Sequence, residues 1–478
     1  MMPGRRLRAV LGTVLLLAVS LAGLPAPAAA HGGSEVFGVS GAVYVVTWSA
    51  DGTMFAAATD TGNITIYDGV SHVLFAMWHA HDGPINEVAF SPDGRRIASA
   101  SGAYKVATVE RNVKVWDITT PTPTLQLTMG GLYDWGVSVA WSPDGSMIAA
   151  SSGVDDHQNR SQAYGEVLFW NSTTGVVVWN ASPLDSYPAR ISWAPDGHAL
   201  AAVGHLNDVW LLEPPRPGAP ATKALINHSF FDIVGHASHG WAAAWSPDSR
   251  FLLGGFSVDF DHDGRTDLGL VLVFDPSDRD ADGYARQVMR GEIHGRPAEW
   301  VGWDSSGRFV ASCSGTDLFD MSGSTPRPGT DNIVDTGELV IYNFTKSIGK
   351  RTLIGENVFL FGRSWCSSLA WRPGNLTVAA GNADGTVKLY VLDEDGDGCM
   401  LWVDSAPLDP NECEAATPYT PTFLESWGLP LLGVGAVAVA VGGFLLVRRS
   451  RMDVEPHRNG RGRGAPRTGR DRPPPRRR

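Results

Sequence analysis

The sequence predicts an all-β fold, a seven-bladed β-propeller of four-stranded antiparallel blades, followed by one C-terminal transmembrane helix. Three observations predict it. A short motif recurs seven times between Tyr44 and Asp393, further β-prone runs follow each copy, and a charge-free apolar run lies near the C-terminus.

The motif reads VTWSADG at Val46, VAFSPDG at Val88, VAWSPDG at Val139 and ISWAPDG at Ile191. It continues as AAWSPDS at Ala243, VGWDSSG at Val301 and LAWRPGN at Leu369. In each copy an apolar strand ends on an aromatic, a Ser-Pro-Asp-Gly-like turn follows, and a strand rich in Ala and Ser comes next. Pro presets φ and Gly accepts positive φ, so this turn closes a hairpin. A third strand follows: ITIYD, VKVWD, VLFWN, DVWLLE, VLVFD, LVIYN or VKLYV. Before the next motif lies a fourth β-prone run, such as HVLFAMW before His79 or GVVVWNA before Ser182. Successive motifs stand 42, 51, 52, 52, 58 and 68 residues apart, a blade-sized period lengthened by insertions. Four strands per unit and seven units make a ring whose edges stay short. The outer strand of the last blade has two candidate sources, Glu35 to Val39 or Met400 to Asp404. The second is favoured because it follows its blade through a short acidic hairpin.

On these residues the chain resembles the WD-repeat family over most of its length. The resemblance implies that a His before the first strand bonds an Asp before the third. His81, His236 and His294 stand at the His position, behind Ala80, Gly235 and Ile293. Repeat 2 keeps His81, Ser99 and Trp116 but has Glu110 in place of the Asp. Repeat 7 has Asp384 with Gly362 at the His position, so the family's bonding network is not expected in every blade. Trp116-Asp117 is the single literal Trp-Asp ending.

The ends of the chain read as targeting segments. Arg5, Arg6 and Arg8 precede the apolar stretch Ala9 to Leu24 and the small residues Ala28-Ala29-Ala30, a signal peptide over 1–30. An uncleaved anchor is the alternative. The propeller then occupies 31–405 and a linker 406–428. The run 429–447 is uncharged and long enough to span a bilayer, and Arg448-Arg449 flanks it. The Arg-rich tail 448–478 follows. This organisation leads to a single-pass plasma-membrane protein with its propeller outside and its C-terminus in the cytoplasm. The tail holds twelve arginines against three acidic residues and the leader three arginines. Of the formal −12, the segment from His31 to Gly428 therefore carries −24. So acidic a body argues against nucleic acid and suits cations or basic surfaces.

Three groups of residues invite chemistry. Asp259, Asp261, Asp263 and Asp267, with Gly264, place carboxylates at alternate positions of one loop, which is how a hard divalent cation collects oxygen ligands. The pattern resembles EF-hand loops, and more closely the calcium hairpins of integrin α-subunit propellers, though Leu270 stands where an EF-hand has glutamate. Weaker copies are Asp393, Asp395, Asp397 and Asp404, and Asp278, Asp280 and Asp282, the latter with Arg286 and Met289 at later ligand positions. Solvated acidic turns are the alternative to calcium. Second, Trp135, Tyr187, Trp241, Trp300 and Trp365 each sit just before a first strand, and successive blades would set them round the channel mouth. Rigid aromatics anchor protein or glycan partners at low entropic cost; packing between blades is the alternative, as expected of Trp141 and Trp245. Third, Cys399 and Cys413 could staple a short segment, while Cys313 and Cys366 in neighbouring repeats either pair or stay buried thiols. Seven Asn-x-Ser/Thr sequons (Asn63, Asn159, Asn171, Asn180, Asn227, Asn343, Asn375) offer glycan sites, of which only some are expected to be used.

No Gly-x-Ser-x-Gly elbow, His-Glu-x-x-His helix or phosphate-cradling loop is present. His157, beside Asp155 and Asp156, reads as a solvated loop histidine. The first-strand motifs bring Val, Ala, Ser and Trp to the channel, without His or Glu clusters. A binding or scaffolding module stabilised by calcium is therefore the leading expectation, ahead of an extracellular metal-assisted hydrolase or a structural adhesion component.

Overall fold

The computed structural model describes residues 34–392, apart from 104–109, 155–163, 185–186, 205–207, 228–236, 260–267, 282, 293–296, 315–336, 351 and 361–365. All belong to the first of two compact units, 1–414; the second, 415–478, lies outside them.

Seven four-stranded antiparallel sheets follow one another, six of them the strand set of one repeat and the seventh completed by a strand from the N-terminus. The innermost strands are Val43–Trp48, Ile85–Phe90, Gly136–Trp141, Pro188–Trp193, Ala237–Trp245, Ala298–Trp303 and Cys366–Trp371, in blades 1 to 7. Every one ends on the motif aromatic, so the turn chemistry falls where the sequence puts it. In blades 1, 2, 3 and 5 the motif serine (Ser49, Ser91, Ser142, Ser246) donates its hydroxyl to the aspartate two residues on. The same oxygen accepts the amide five residues on, at 2.8–2.9 Å. The serine bond in turn holds the Asp51, Asp93 and Asp144 carboxyls below their usual range. Asp304 replaces the serine in blade 6 and accepts from the Phe309 amide at 2.7 Å.

The core lies between blades. One buried cluster joins Val209 and Leu211 of blade 4 to Trp245, Phe256 and Phe274 of blade 5, and another joins Val46 and Phe55 of blade 1 to Ala379 and Leu389 of blade 7. The motif tryptophans add a directional bond. Trp141, Trp245, Trp303 and Trp371 donate their indole N–H to the carbonyls of Ala89, Ser192, Ala244 and Gly302 in the preceding blade, at 3.0, 3.1, 3.3 and 3.2 Å.

Ring closure departs from the favoured expectation. The outer strand of blade 7 is Ser34–Gly38, which pairs antiparallel with Thr386–Val391 from Ser34 opposite Tyr390 to Gly38 opposite Thr386. The N-terminal run thus holds the edge position, and Met400 to Asp404 lies outside the described residues. Closing the ring with strands from both ends of the domain ties the termini together, whereas a C-terminal hairpin would leave the seam between blades 7 and 1 held by side chains alone.

Cys313 of blade 6 and Cys366 of blade 7 are joined as a disulfide, settling the pair that the sequence left open; both are fully buried. Cys399 and Cys413 lie outside the described residues. So do the leader 1–30, the linker 406–428, the apolar run 429–447 and the tail. Among the described residues no helix is long and apolar enough to cross a membrane. The expected single-pass plasma-membrane placement is corrected accordingly. Of the sequons, Asn180 and Asn375 are exposed, while Asn343 is buried and caps a helical turn at Phe344–Ser347 by accepting the Lys346 amide at 2.9 Å.

Candidate functional site

Each inner strand contains one irregularity. Pairing with the second strand skips a residue between Val43 and Val45, Ile85 and Glu87, Gly136 and Ser138, Pro188 and Arg190, Gly240 and Ala242, Ala298 and Trp300, and Cys366 and Ser368. The extra residues are Tyr44, Asn86, Val137, Ala189, Trp241, Glu299 and Ser367, always four positions before the motif aromatic. A bulge bends its strand and re-aims the side chain at that point. Repeated seven times round an axis, it delivers one side chain per blade to the same place. All seven line one cavity, together with Tyr187, Arg190 and Trp300. The cavity lies at the end of the channel where the inner strands begin, beside the loops between second and third strands.

Charge enters through the next column of the repeat. Glu87 of blade 2 and Arg190 of blade 4 meet at 2.7 Å, and Ser138 of blade 3 donates its hydroxyl to the same carboxylate oxygen. The Arg190 guanidinium also lies over the Trp300 ring of blade 6, 3.9 Å from its centroid. One arginine thus braces blades 2, 4 and 6. Both ends of the ion pair are largely buried, a setting where the pair is costly to break by removing one partner. Asn86 donates to the carbonyls of Gly102 and Gly136 at 3.0 and 2.8 Å, and Ser367 donates to the Val43 carbonyl, stitching neighbouring blades. Glu299 is only 6% exposed and adds one carboxylate to a lining that also holds the Arg190 guanidinium. Burial, helped by the Asp60 charge, raises the Tyr44 phenol, which therefore stays protonated at neutral pH.

Of the five aromatics that the sequence singles out, Tyr187, Trp241 and Trp300 line this cavity. Trp135 stands behind, its ring centroid 6.0 Å from that of Tyr187. Trp135, Tyr187 and Trp241 are 3%, 1% and 5% exposed, so they form walls below the rim; Trp300 is half-buried and Trp365 lies outside the described residues. The Trp241 indole is anchored to the Ser257 hydroxyl at 2.8 Å. Sequence reasoning missed Glu87, Arg190 and Glu299, which the inner strands bring to the channel or beside it. Their signal was present: aligned on the motif aromatic, the two columns read Tyr, Asn, Val, Ala, Trp, Glu, Ser and Val, Glu, Ser, Arg, Ala, Trp, Ser.

The Asp-rich loops distribute differently. Asp259 ends the second strand of blade 5, while Asp261, Asp263 and Asp267 lie outside the described residues, as do Asp282 and all of Asp393, Asp395, Asp397 and Asp404. Asp278 forms an ion pair with Arg286 at 3.1 Å, and Asp280 accepts the Tyr284 amide at 2.9 Å, which makes this loop a capped hairpin turn. Among the described residues no group of three or more His, Cys, Asp or Glu side chains could hold a metal ion.

Comparison with known proteins agrees with the architecture. The WD40 family model, described as "WD domain, G-beta repeat", matches residues 73–117, 128–158 and 355–390. The chain is similar to Protein transport protein sec13 of Aspergillus clavatus, 28% identical over 207 residues, 39% of this chain and 67% of the relative. Protein HIR1 of Yarrowia lipolytica is 26% identical over 256 residues, 48% of this chain but 22% of the relative. WD repeat-containing protein 1 of Bos taurus is 31% identical over 123 residues, 25% and 19% of the two chains. The fold is thus a seven-bladed β-propeller, and three segments of the chain match the WD-repeat model.

Proposed function

We propose that the protein is a binding platform that captures a partner protein by taking one of its basic side chains into the bulge-lined cavity. The convergence of seven bulge residues on one aromatic, carboxylate-bearing cavity carries this reading. Glu299 contributes a carboxylate to the lining, and Glu87 is matched by Arg190. Ring faces of Tyr44, Tyr187 and Trp241 attract a cation electrostatically, and the −24 of the segment from His31 to Gly428 steers basic partners toward it. The similarity to relatives named for protein transport supports a scaffolding role over catalysis. In a titration of the full chain followed by tryptophan fluorescence, Nα-acetyl-arginine methylamide should bind and its citrulline counterpart should not. Glu299→Gln should weaken that binding by about tenfold or more. Equal binding of the charged and neutral probes would remove charge recognition from the account.

We also propose a structural calcium ion at the Asp259 loop. Val258 pairs with Leu268, and the sequence between them holds four carboxylates within nine residues, which repel each other unless a cation is bound. Calcium should raise the melting temperature of the wild type over that in chelator, and Asp261→Ala/Asp263→Ala should abolish the difference. Identical melts with and without calcium in the wild type would exclude the ion.

A further inference from the structure

Most hydrogen-bond donors in the cavity lining are spent on the protein itself. Asn86 gives both amide hydrogens to the Gly102 and Gly136 carbonyls. The Ser367 hydroxyl goes to Val43, and the Trp241 indole N–H goes to Ser257. Arg190 differs. Its guanidinium makes one hydrogen bond among the described residues, from Nη1 to a single oxygen of Glu87 at 2.7 Å. Its Nε is buried and has no hydrogen-bond partner.

The geometry of the guanidinium says what is left over. Nη1 stands on the side of Cδ, so its bond to Glu87 leaves the opposite Nε–Nη2 edge uncommitted. That edge presents two parallel N–H groups, the fork that a carboxylate accepts with both oxygens. Its direction is fixed, because the group is held flat over the Trp300 ring, 3.9 Å from the centroid, and tied to Glu87. In the same lining Tyr44 adds a hydroxyl with no hydrogen bond among the described residues, and burial keeps that phenol protonated at neutral pH. Leaving a buried donor unsatisfied costs free energy, more so when it is charged. The remaining donors of this cavity therefore fit an acceptor, and beside a guanidinium an anionic one.

We propose that the residue captured in this cavity is the C-terminal residue of the partner, its α-carboxylate received on the Nε–Nη2 edge of Arg190. Its basic side chain meets Glu299 and the aromatic faces, so the inference rests on the reading of the cavity as a site for a basic side chain and adds the second charge. Both charges belong to one small region of the lining: Arg190 lies over Trp300, the residue that follows Glu299. A C-terminal lysine or arginine carries a cation and a carboxylate on a single residue. It also enters the channel mouth as a chain end, whereas an internal residue must bring chain in and out.

Calorimetric titration of the full chain at one ionic strength tests it, with Nα-acetyl-arginine, its methylamide and the citrulline counterpart of each as probes. Nα-acetyl-arginine should bind about tenfold or more tighter than its methylamide. The field of the acidic body works the other way, since the methylamide has a net positive charge and the free acid has none, so this preference reports a local contact. Arg190→Lys keeps the charge but not the fork and should remove most of the preference. Equal affinity of the wild type for the free acid and the methylamide overturns the proposal and leaves the capture of a basic side chain standing. Equal affinity for the arginine and citrulline free acids, or no binding of either arginine probe, overturns both. A folded Arg190→Lys chain with the full preference overturns the assignment to Arg190. The wild-type comparison decides by itself should that variant fail to fold.

Discussion

His81 shows how one buried side chain sets an acid limit on the fold. Its Nδ1 lies 3.0 Å from Glu110 and its Nε2 2.7 Å from the Ser99 hydroxyl, which accepts the Trp116 indole N–H at 3.2 Å. One neutral tautomer satisfies the whole chain: Trp116 donates to Ser99, Ser99 donates to Nε2, and Nδ1–H donates to Glu110. Burial, aided by the Lys114 charge, pushes the imidazole down to about 4, against the pull of Glu110. Burial works against the Glu110 carboxylate as well, but bonds from Lys114 and His81 hold it below the usual range. The unfolded chain binds the histidine proton first, so the stabilisation is complete above about 6.5 and is lost as pH falls toward 4. Between pH 7 and pH 5 this group should cost about 2 kcal/mol of unfolding free energy. Urea unfolding of His81→Gln at the two pH values should show a smaller drop than the wild type; an equal drop would place the acid sensitivity elsewhere. This site was legible in the sequence, down to Glu110 at the aspartate's place, because every member sits at a fixed offset from the motif.

At the scale of the element, turns and strands followed from local rules, and the bulges did not. The Ser-Pro-Asp-Gly turn is specified by a handful of adjacent atoms, so its bonds recur in four blades and survive as Asp304 in the fifth case. The bulge needs the second strand to choose its register, and that choice depends on where the whole ring places the channel. Tyr44, Glu299 and Ser367 share no residue type, so only their common offset links them. The loop aromatics lie between these cases. Tyr187, Trp241 and Trp300 do surround the channel, yet the closeness of the blades buries the first two into its wall. The partnership of Cys313 with Cys366 belongs here as well: their strands are inner and second strands of adjacent blades, a distance that the 53-residue separation conceals.

For the whole molecule, the seam decides stability. Blade 7 takes its outer strand from the N-terminus and its inner three from residues 366–391, so the ring is closed by chain ends brought together from opposite sides of the domain. Phe37 of that outer strand reaches across to blade 1, with ring centroids 5.5 Å from Phe55 and 5.3 Å from Tyr67. Deleting Ser34–Gly38 should therefore lower the melting temperature and expose the third strand of blade 7 to hydrogen exchange, with blades 3 and 4 protected longest. Unchanged exchange at Thr386–Val391 in the deletion variant would mean that the strand does not close the ring.

Sequence alone determined the number of blades, the strands within each and the turns between them, because these depend on patterns only a few residues long, repeated seven times. It also located the buried histidine network, whose members lie within one repeat. Tertiary structure decided which terminus completes the last blade, that Cys313 meets Cys366, and that Glu87, Arg190 and Trp300 form one brace across the channel. Glu87 and Arg190 are 103 residues apart, and their pairing exists only once blades 2 and 4 face the same axis. Nothing in the local sequence of either strand encodes that meeting; it is a consequence of closing the ring.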